Sequence, residues 1–405
     1  MRILLINKFF YVKGGPERYL FSLSDILKAN GHQVAYFSMQ NEKNASTEWS
    51  RFFVDNVEYN KKLNPAEQIK IFFNTLYSFE AERKLSGLID VFRPDIAHLQ
   101  NYHHQLSPSI LHALHKKKVP VVAKLPDYKM VCPSYEMLNH GKVCDICKSG
   151  RFYHCLTTKC FKNSFSQSLL ATLESYLHHS ILGSYRFVNT YICPSRFILG
   201  KIKEMGLGGR SVYLPNFIDT RKFQPYQTDS ARFTIVYWGA LSRVKGINTL
   251  VRAVQDLDVD VWLIGDGPIK GELEKKVKGN IRAKIRLPGH LNGEALFNLI
   301  KSASVAVLPS EWYENNPNSV LEAFAFGKPV IGARIGGIPE LVKDSVTGLT
   351  FEPGNAEDLS SKILYLMNNR EKVLEMGKNA RVFVEDEFNA EKHYHSLMEI
   401  YESVI

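Results

Sequence analysis

Two glutamates, Glu314 and Glu322, frame the stretch ENNPNSVLE. Their carboxylates can accept hydrogen bonds from hydroxyl groups, and the residues between them spell the start of a helix. Asn316 can cap that helix, and Pro317 suits its first position because the missing N–H costs nothing there. The N–H groups of Asn318, Ser319 and Val320 then offer a seat for an anion, a phosphate above all. A ligand made of a phosphate between two sugars would use every part: the amides hold the phosphate and each glutamate takes hydroxyls. Read blandly, the same glutamates are surface acids steadied by the helix dipole. A second constellation is Cys144, Cys147, Cys155 and Cys160, spaced Cys-x2-Cys-x7-Cys-x4-Cys. Four thiolates suit a closed tetrahedral zinc site of structural type, which leaves no open position for catalysis. Free thiols without metal are the other reading. Cys132 is a nearby fifth thiol, and Cys193 reads as a small buried hydrophobe.

Elements that alternate along the chain must position these residues. RILLIN is a buried-strand run, GGPERYLFSLSDILKANGH has a helical period with Gly31 as its cap, and QVAYFSM returns to strand. PDIAHLQ, PVVAKLP, VNTYICPS and SVYLPNF continue the strand signal. A second series starts with RFTIVYWGAL and runs through VDVWLIGDGP, IRLPGH, VAVLPS and KPVIGA, with helical stretches between. The fold class this predicts is α/β: two doubly wound Rossmann-like domains in tandem, facing a central cleft. The polar, proline-bearing stretch LPNFIDTRKFQPYQTDS marks the boundary. The first domain spans 1–215, with a Cys-rich insertion at about 128–162, and is completed by a C-terminal helix at 389–405. The second spans 216–388. Glu314 then lies just past the carboxyl end of the strand VAVLPS, where open α/β sheets bind ligands.

The chain has 405 residues, 45% of them apolar, enough for two cores. No run of about 18 apolar residues appears, so no spanning helix is expected, and the protein reads as cytoplasmic. Residues 1–220 hold 28 Lys and Arg against 17 Asp and Glu, while residues 221–405 hold 23 against 24. All the excess positive charge sits in the first half, which suits an anionic partner such as the inner membrane surface or a phosphorylated substrate. The basic residues are scattered and not interleaved with aromatic ones, which argues against nucleic acid. Two stretches carry apolar residues at helical spacing: Ile69, Phe72, Phe73, Leu76 and Phe79, and Leu169, Leu170, Leu173, Tyr176, Leu177, Ile181 and Leu182. Each reads as a core-facing stripe or as an interfacial helix.

Glu-x7-Glu followed by GKPVIGARIGGIPELVKDSVTGL closely resembles glycosyltransferase family 4, retaining enzymes of the two-domain GT-B type. The resemblance extends to GGPER, SRVKGINTLVRAV, GDGP and the LPGH loop. It implies a transferase that moves a sugar from a UDP- or GDP-linked donor to a saccharide or lipid-linked acceptor in cell-surface polysaccharide or glycolipid assembly, forming an α-glycosidic bond. By the same resemblance, Glu314 contacts hydroxyls of the donor sugar and Glu322 the ribose. Lys245 neutralises the diphosphate, Gly14 and Gly15 let the first loop approach it, and backbone around Gly289 and His290 holds the base. The first domain receives the acceptor.

No catalytic metal is expected, because fixed cations and helix N-termini can meet the charge of the leaving diphosphate and no Asp-x-Asp pair is read as a dedicated metal handle. The chain departs from the family string in two places. Ala240 stands where Arg is common, with Arg243 as a substitute cation, and Pro126 stands where a histidine is common. Asp127 remains in place and joins Glu314 and Lys245 as a candidate catalytic residue, while His103 and His104 are alternative donor-side histidines. Competing readings keep the fold but change the chemistry to a sugar phosphorylase or sugar-nucleotide epimerase. A further one makes the cysteine cluster part of a zinc-containing nucleic-acid-binding protein.

Overall fold

A computed structural model describes residues 1–56, 65–207, 210–226, 232–279 and 282–405. The tail of the expected linker, 227–230, lies outside the described residues. The chain divides into two compact units. One comprises Met1–His140, Cys144–Pro215 and His393–Ile405, and the other Gly141–Val143 and Asn216–Lys392.

The strands of the first unit are short, and three of them are buried at every residue, as strands covered on both faces must be. They are β1 (Arg2–Ile6), β2 (Gln33–Phe37), β3 (Ile96–Leu99) and β4 (Val121–Lys124). A two-stranded ribbon follows, β5 (Leu138–Asn139) with β6 (Lys142–Val143), then β7 (Thr190–Cys193) and β8 (Arg210–Tyr213). The described sheet has the order β2-β1-β3-β4-β7-β8, with every pair parallel. The order reverses at β1, so the loops after β1 and β3 flank a switch point. The helix Gly15–Ala29 leaves the loop after β1, and Gly31 at φ +78° ends it in the left-handed region that glycine supplies at no steric cost.

The second unit repeats the plan with β9 (Thr234–Trp238), β10 (Asp260–Ile264), β11 (Lys284–Gly289), β12 (Val305–Leu308), β13 (Val330–Ala333) and β14 (Gly348–Phe351). Their order is β11-β10-β9-β12-β13-β14, a dinucleotide-fold arrangement with its switch point between β9 and β12. Its core joins Ile235, Leu263, Val307, Ile331 and Phe351 from the strands to Leu250, Phe324, Leu359 and Ala380 from the helices.

The C-terminal helix Ala390–Glu402 returns its last residues to the first unit. Tyr19 OH meets His393 Nε2 at 2.9 Å, His98 Nδ1 meets Tyr401 OH at 2.7 Å, and His32 Nε2 meets Tyr394 OH at 2.8 Å. Burial drives the His98 ring down to about 3 and also holds His393 well below its usual range, so these rings stay neutral.

The helix Phe165–Tyr176 has its polarity turned inward. Ser168, Thr172, Glu174 and Ser175 are buried, whereas Phe165 and Leu173 are exposed. Glu174 forms a buried ion pair with Lys129 at 2.8 Å. The helix Pro65–Leu76 packs on it and exposes Ile69 and Phe73. The core-facing reading of these two apolar stripes therefore fails for Ile69, Phe73, Phe79, Leu173, Ile181 and Leu182. The polar network around Glu174 takes the inner face instead. Among the described residues, no helix is long and apolar enough to cross a membrane.

Candidate functional site

In the second unit, Glu314 sits in the loop that leaves β12, close beside the switch point. Two backbone clamps hold it. The turn Arg243–Gly246 docks on the start of that loop through Glu311 N–H to Val244 C=O at 2.8 Å. Gly246, at φ +67°, lies so close that a Cβ would stand 1.7 Å from the Pro309 carbonyl oxygen. On the other side, Gly337 N–H donates to Glu314 C=O at 2.7 Å. A Cβ on Gly336, at φ +57°, would stand 2.3 Å from that same oxygen. Only glycine fits either place, which gives a steric reason for the glycines in RVKG and IGGIPE.

The clamps bring Lys245 Nζ to 2.7 Å from Glu314 Oε1, which also accepts from Ser310 Oγ at 2.6 Å. The Lys245 ammonium lies 4.8 Å from the centre of the Trp312 ring. Burial pushes the Glu314 carboxyl up, but Lys245 and Ser310 together outweigh it, so the carboxyl titrates below its usual range and is ionised at neutral pH.

The next helix runs Asn318–Ala325, one residue later than its sequence suggests. Pro317 occupies the cap position, and Asn316 does not cap the helix. Its Oδ1 accepts from Asn216 N–H at 3.1 Å, while Asn216 Nδ2 reaches Asn316 C=O and Asn318 Oδ1, each at 3.0 Å. Competition from Asn216, a hundred residues away, decides this. Val320 N–H is also spoken for, donating to Pro317 C=O at 3.1 Å, which corrects the expectation of three free amides. Among the described residues, Asn318 and Ser319 N–H have no backbone acceptor and remain the first-turn donors. Glu322, 9% exposed, accepts from Trp238 Nε1 at 2.7 Å at the end of β9. Both strands at the switch point thus deliver a carboxylate partner.

Other expected residues stand apart from this group. Arg243 does not join Lys245; it is exposed and pairs with Glu272 at 3.0 Å. Arg243 is thus turned away from the role of substitute cation at Ala240, whose carbonyl accepts from Tyr237 OH at 2.8 Å. Gly289 ends β11 at φ +84°, its carbonyl taken by Gly265 N–H at 2.9 Å, and His290 follows, exposed. Asp258 and Asp260 do have Asp-x-Asp spacing, but they lie at the amino end of β10, where Arg232 pairs with both and Arg286 with Asp260.

The first unit holds a separate polar cluster at its own switch point. Gly14 and Gly15 begin the helix after β1. Asn7 Nδ2 bonds Glu17 Oε1 at 3.2 Å, and Lys8 N–H bonds Asn101 C=O at 2.8 Å, joining the loops after β1 and β3. Burial lowers the Lys8 pKa, against the pull of Asp127 and Glu17. Asp127, half-buried, accepts from Lys129 N–H at 2.9 Å. His103 stacks on Tyr102 at 4.2 Å, and His104 Nδ1 lies 3.4 Å from Glu174. Burial keeps both rings neutral. Sequence reasoning missed Trp238, Ser310, Lys8 and the Lys129–Glu174 pair. A lysine or tryptophan ending a strand of an open sheet is the signal that could have found Lys8 and Trp238.

The four expected cysteines do converge. Cys144, Cys147, Cys155 and Cys160 line one cavity of the first unit, and Cys132 lines it too. Cys155 and Cys160 bring their sulfurs to 3.2 Å. Among the described residues, no three His, Cys, Asp or Glu side chains already stand as a metal cage.

Comparison with known proteins bears on the family and the fold. Residues 13–125 match the family described as Glycosyltransferase Family 4, and residues 219–383 match Glycosyl transferases group 1. An uncharacterised glycosyltransferase of Methanocaldococcus jannaschii is 31% identical over 253 residues, 60% of this chain and 70% of that protein. N-acetyl-alpha-D-glucosaminyl L-malate synthase of Bacillus anthracis is 28% identical over 204 residues, 47% of this chain and 53% of that protein. The chain therefore spans about half the length of that relative. Sucrose-phosphate synthase from Thermosynechococcus elongatus has a similar structure, with a TM-score of 0.73 at 18% identity over 99% of this chain and 98% of that one. Anabaena HepE, solved with UDP and glucose, gives a TM-score of 0.68 at 17% identity over the whole of both chains. At such identities the structural likeness is one of fold.

Proposed function

The chain belongs to glycosyltransferase family 4 and has the two Rossmann-like domains of the GT-B class, and we propose that it transfers a hexosyl group with retention from a UDP- or GDP-linked sugar to a saccharide or lipid-linked acceptor, forming an α-glycosidic bond. The observation that carries this reading is the group Lys245–Glu314–Ser310 beside Glu322–Trp238, set around the N-terminus of the helix Asn318–Ala325. Asn318 and Ser319 N–H with the Lys245 ammonium supply positive charge where a diphosphate would leave. Glu322, fixed by Trp238, accepts from the ribose hydroxyls, and Glu314, ionised, accepts from the donor sugar. No side chain in this group is asked to act as a nucleophile. The acceptor attacks the face from which the diphosphate departs, and the departing phosphate takes its proton. The UDP-glucose complex of Anabaena HepE supports a nucleotide-sugar donor for this fold.

A lipid-linked acceptor is supported by the exposed apolar residues Ile69, Phe73 and Leu173 together with the basic first half of the chain. On this reading the enzyme works in the cytoplasm, peripheral to the inner face of the cell membrane. The test is a panel of nucleotide sugars read by acceptor-dependent nucleotide release, with the anomeric proton of the product read by NMR. Glu322→Ala should raise the donor KM about tenfold or more with a smaller change in kcat, whereas Glu314→Ala should lower kcat at least a hundredfold. Added Mg2+ should leave turnover unchanged. Nucleotide release driven by inorganic phosphate instead of an acceptor, or normal turnover in both variants, defeats the proposal.

A further inference from the structure

Five of the six cysteines line one cavity in the first unit, and its remaining wall mixes apolar residues, Val131, Met137 and Met205 among them, with polar ones such as Asp145, His154 and Lys201. The segment that carries them has little else to hold it. Its strands β5 and β6 have two residues each, and its longest helix, Tyr153–Thr158, has six. The apolar cluster beneath its second half has Cys147, Phe152 and Cys155 as its buried members, and Val131, Met137 and Leu138 are buried in its first half. So long a segment with so little regular structure gains order from a cross-link or a metal. The cysteines are free thiols. The Cys155 and Cys160 sulfurs stand 3.2 Å apart. That separation is well beyond a disulfide bond of about 2.05 Å. It is about 0.6 Å short of the edge of a zinc tetrathiolate, which is about 3.8 Å for Zn–S bonds of about 2.3 Å. Small rotations about the side-chain bonds would open it.

We propose that this cavity binds one zinc(II) ion through the thiolates of Cys144, Cys147, Cys155 and Cys160, and that Cys132 stays a thiol. The first two ligands form a Cys-x2-Cys knuckle, and the other two straddle the end of the helix Tyr153–Thr158, where Lys159 in the left-handed region turns the chain back. Cys132 is the spare donor because its sulfur is engaged with Ser134 Oγ at 3.2 Å. Binding releases the four thiol protons to solvent and changes no oxidation state, so it needs no co-reactant. The site is closed and structural. It pins the segment that follows Asp127 and Lys129.

Elemental analysis and native mass spectrometry of the full chain, purified without added metal, should give one zinc per chain. Titration with an organomercurial should release that zinc in step with modification of four thiols. Cys144→Ser, Cys147→Ser, Cys155→Ser and Cys160→Ser should each lose the metal, whereas Cys132→Ser and Cys193→Ser should keep it. Should the ligand variants fail to fold, the alkylation pattern of the wild type decides. Protection of these four thiols by zinc upholds the site. A metal-free folded protein, a Cys155–Cys160 disulfide in its place, or loss of zinc from Cys132→Ser overturns it.

Discussion

Glu314 shows how much of a site is electrostatics between neighbours. Isolated in the sequence it is one acid among many. In the fold it is buried, and Lys245 holds it ionised. Because its pKa is depressed, its pairing contributes stability that is complete at neutral pH and is lost as pH falls through the lowered value. Glu314→Gln should therefore unfold at lower denaturant than the wild type at neutral pH, and the gap should shrink in acid. A gap that widens in acid would show the carboxyl to be raised instead. Glu322 depends equally on a residue that no motif names. Trp238→Phe keeps an aromatic ring, though a smaller one, and removes one hydrogen bond to a carboxylate, a loss of about 1.5–3 kcal/mol. Nucleotide affinity, measured by calorimetry, should fall about tenfold or more, with turnover at saturating donor less affected. Unchanged affinity would detach Trp238 from the nucleotide.

At the scale of elements, the helix Phe165–Tyr176 departs furthest from the expectation of its sequence. Periodicity marks an apolar stripe but does not say which way it faces. Glu174 decides the question, because it meets Lys129 in the interior and His104 beside it. A buried pair like this contributes little net stability when intact, but breaking one side leaves a charge unmatched. Glu174→Ala should lower unfolding free energy by about 3–5 kcal/mol, read from urea titration. A change below about 1 kcal/mol, typical of exposed pairs, would mean that water reaches Lys129. By contrast, the helix after Glu314 was legible almost to the residue. Its start moved by one position because Asn216, distant in sequence, took Asn316 for its own hydrogen bonds.

At the scale of the whole molecule, the proposed membrane contact draws on the uneven charge and the outward apolar residues together. The first 220 residues carry the entire positive excess. Binding to vesicles rich in anionic lipid should therefore weaken as salt rises, and should weaken further in Phe73→Ser and Leu173→Ser. Equal binding to neutral vesicles, unaffected by salt or by either substitution, would remove the membrane from the account. The return of the final helix to the first unit also belongs to this scale. Three contacts between histidine and tyrosine anchor it across some 300 residues or more. Their partners are too far apart in the chain for any local pattern to show the pairing.

The sequence by itself determined two parallel α/β domains, most of their strands though not β5, β6 or β14, the glutamate loop and the clustering of four cysteines. Period, turn chemistry and spacing are local properties, and they survive without knowledge of partners. Only the tertiary structure decided that Lys245 binds Glu314 while Arg243 turns to Glu272, that Trp238 supports Glu322, and that polar residues of one helix face inward. Each of those outcomes is a competition among groups remote in sequence for one hydrogen bond or one buried position. It is settled by which of them the folded backbone brings within about 3 Å of each other.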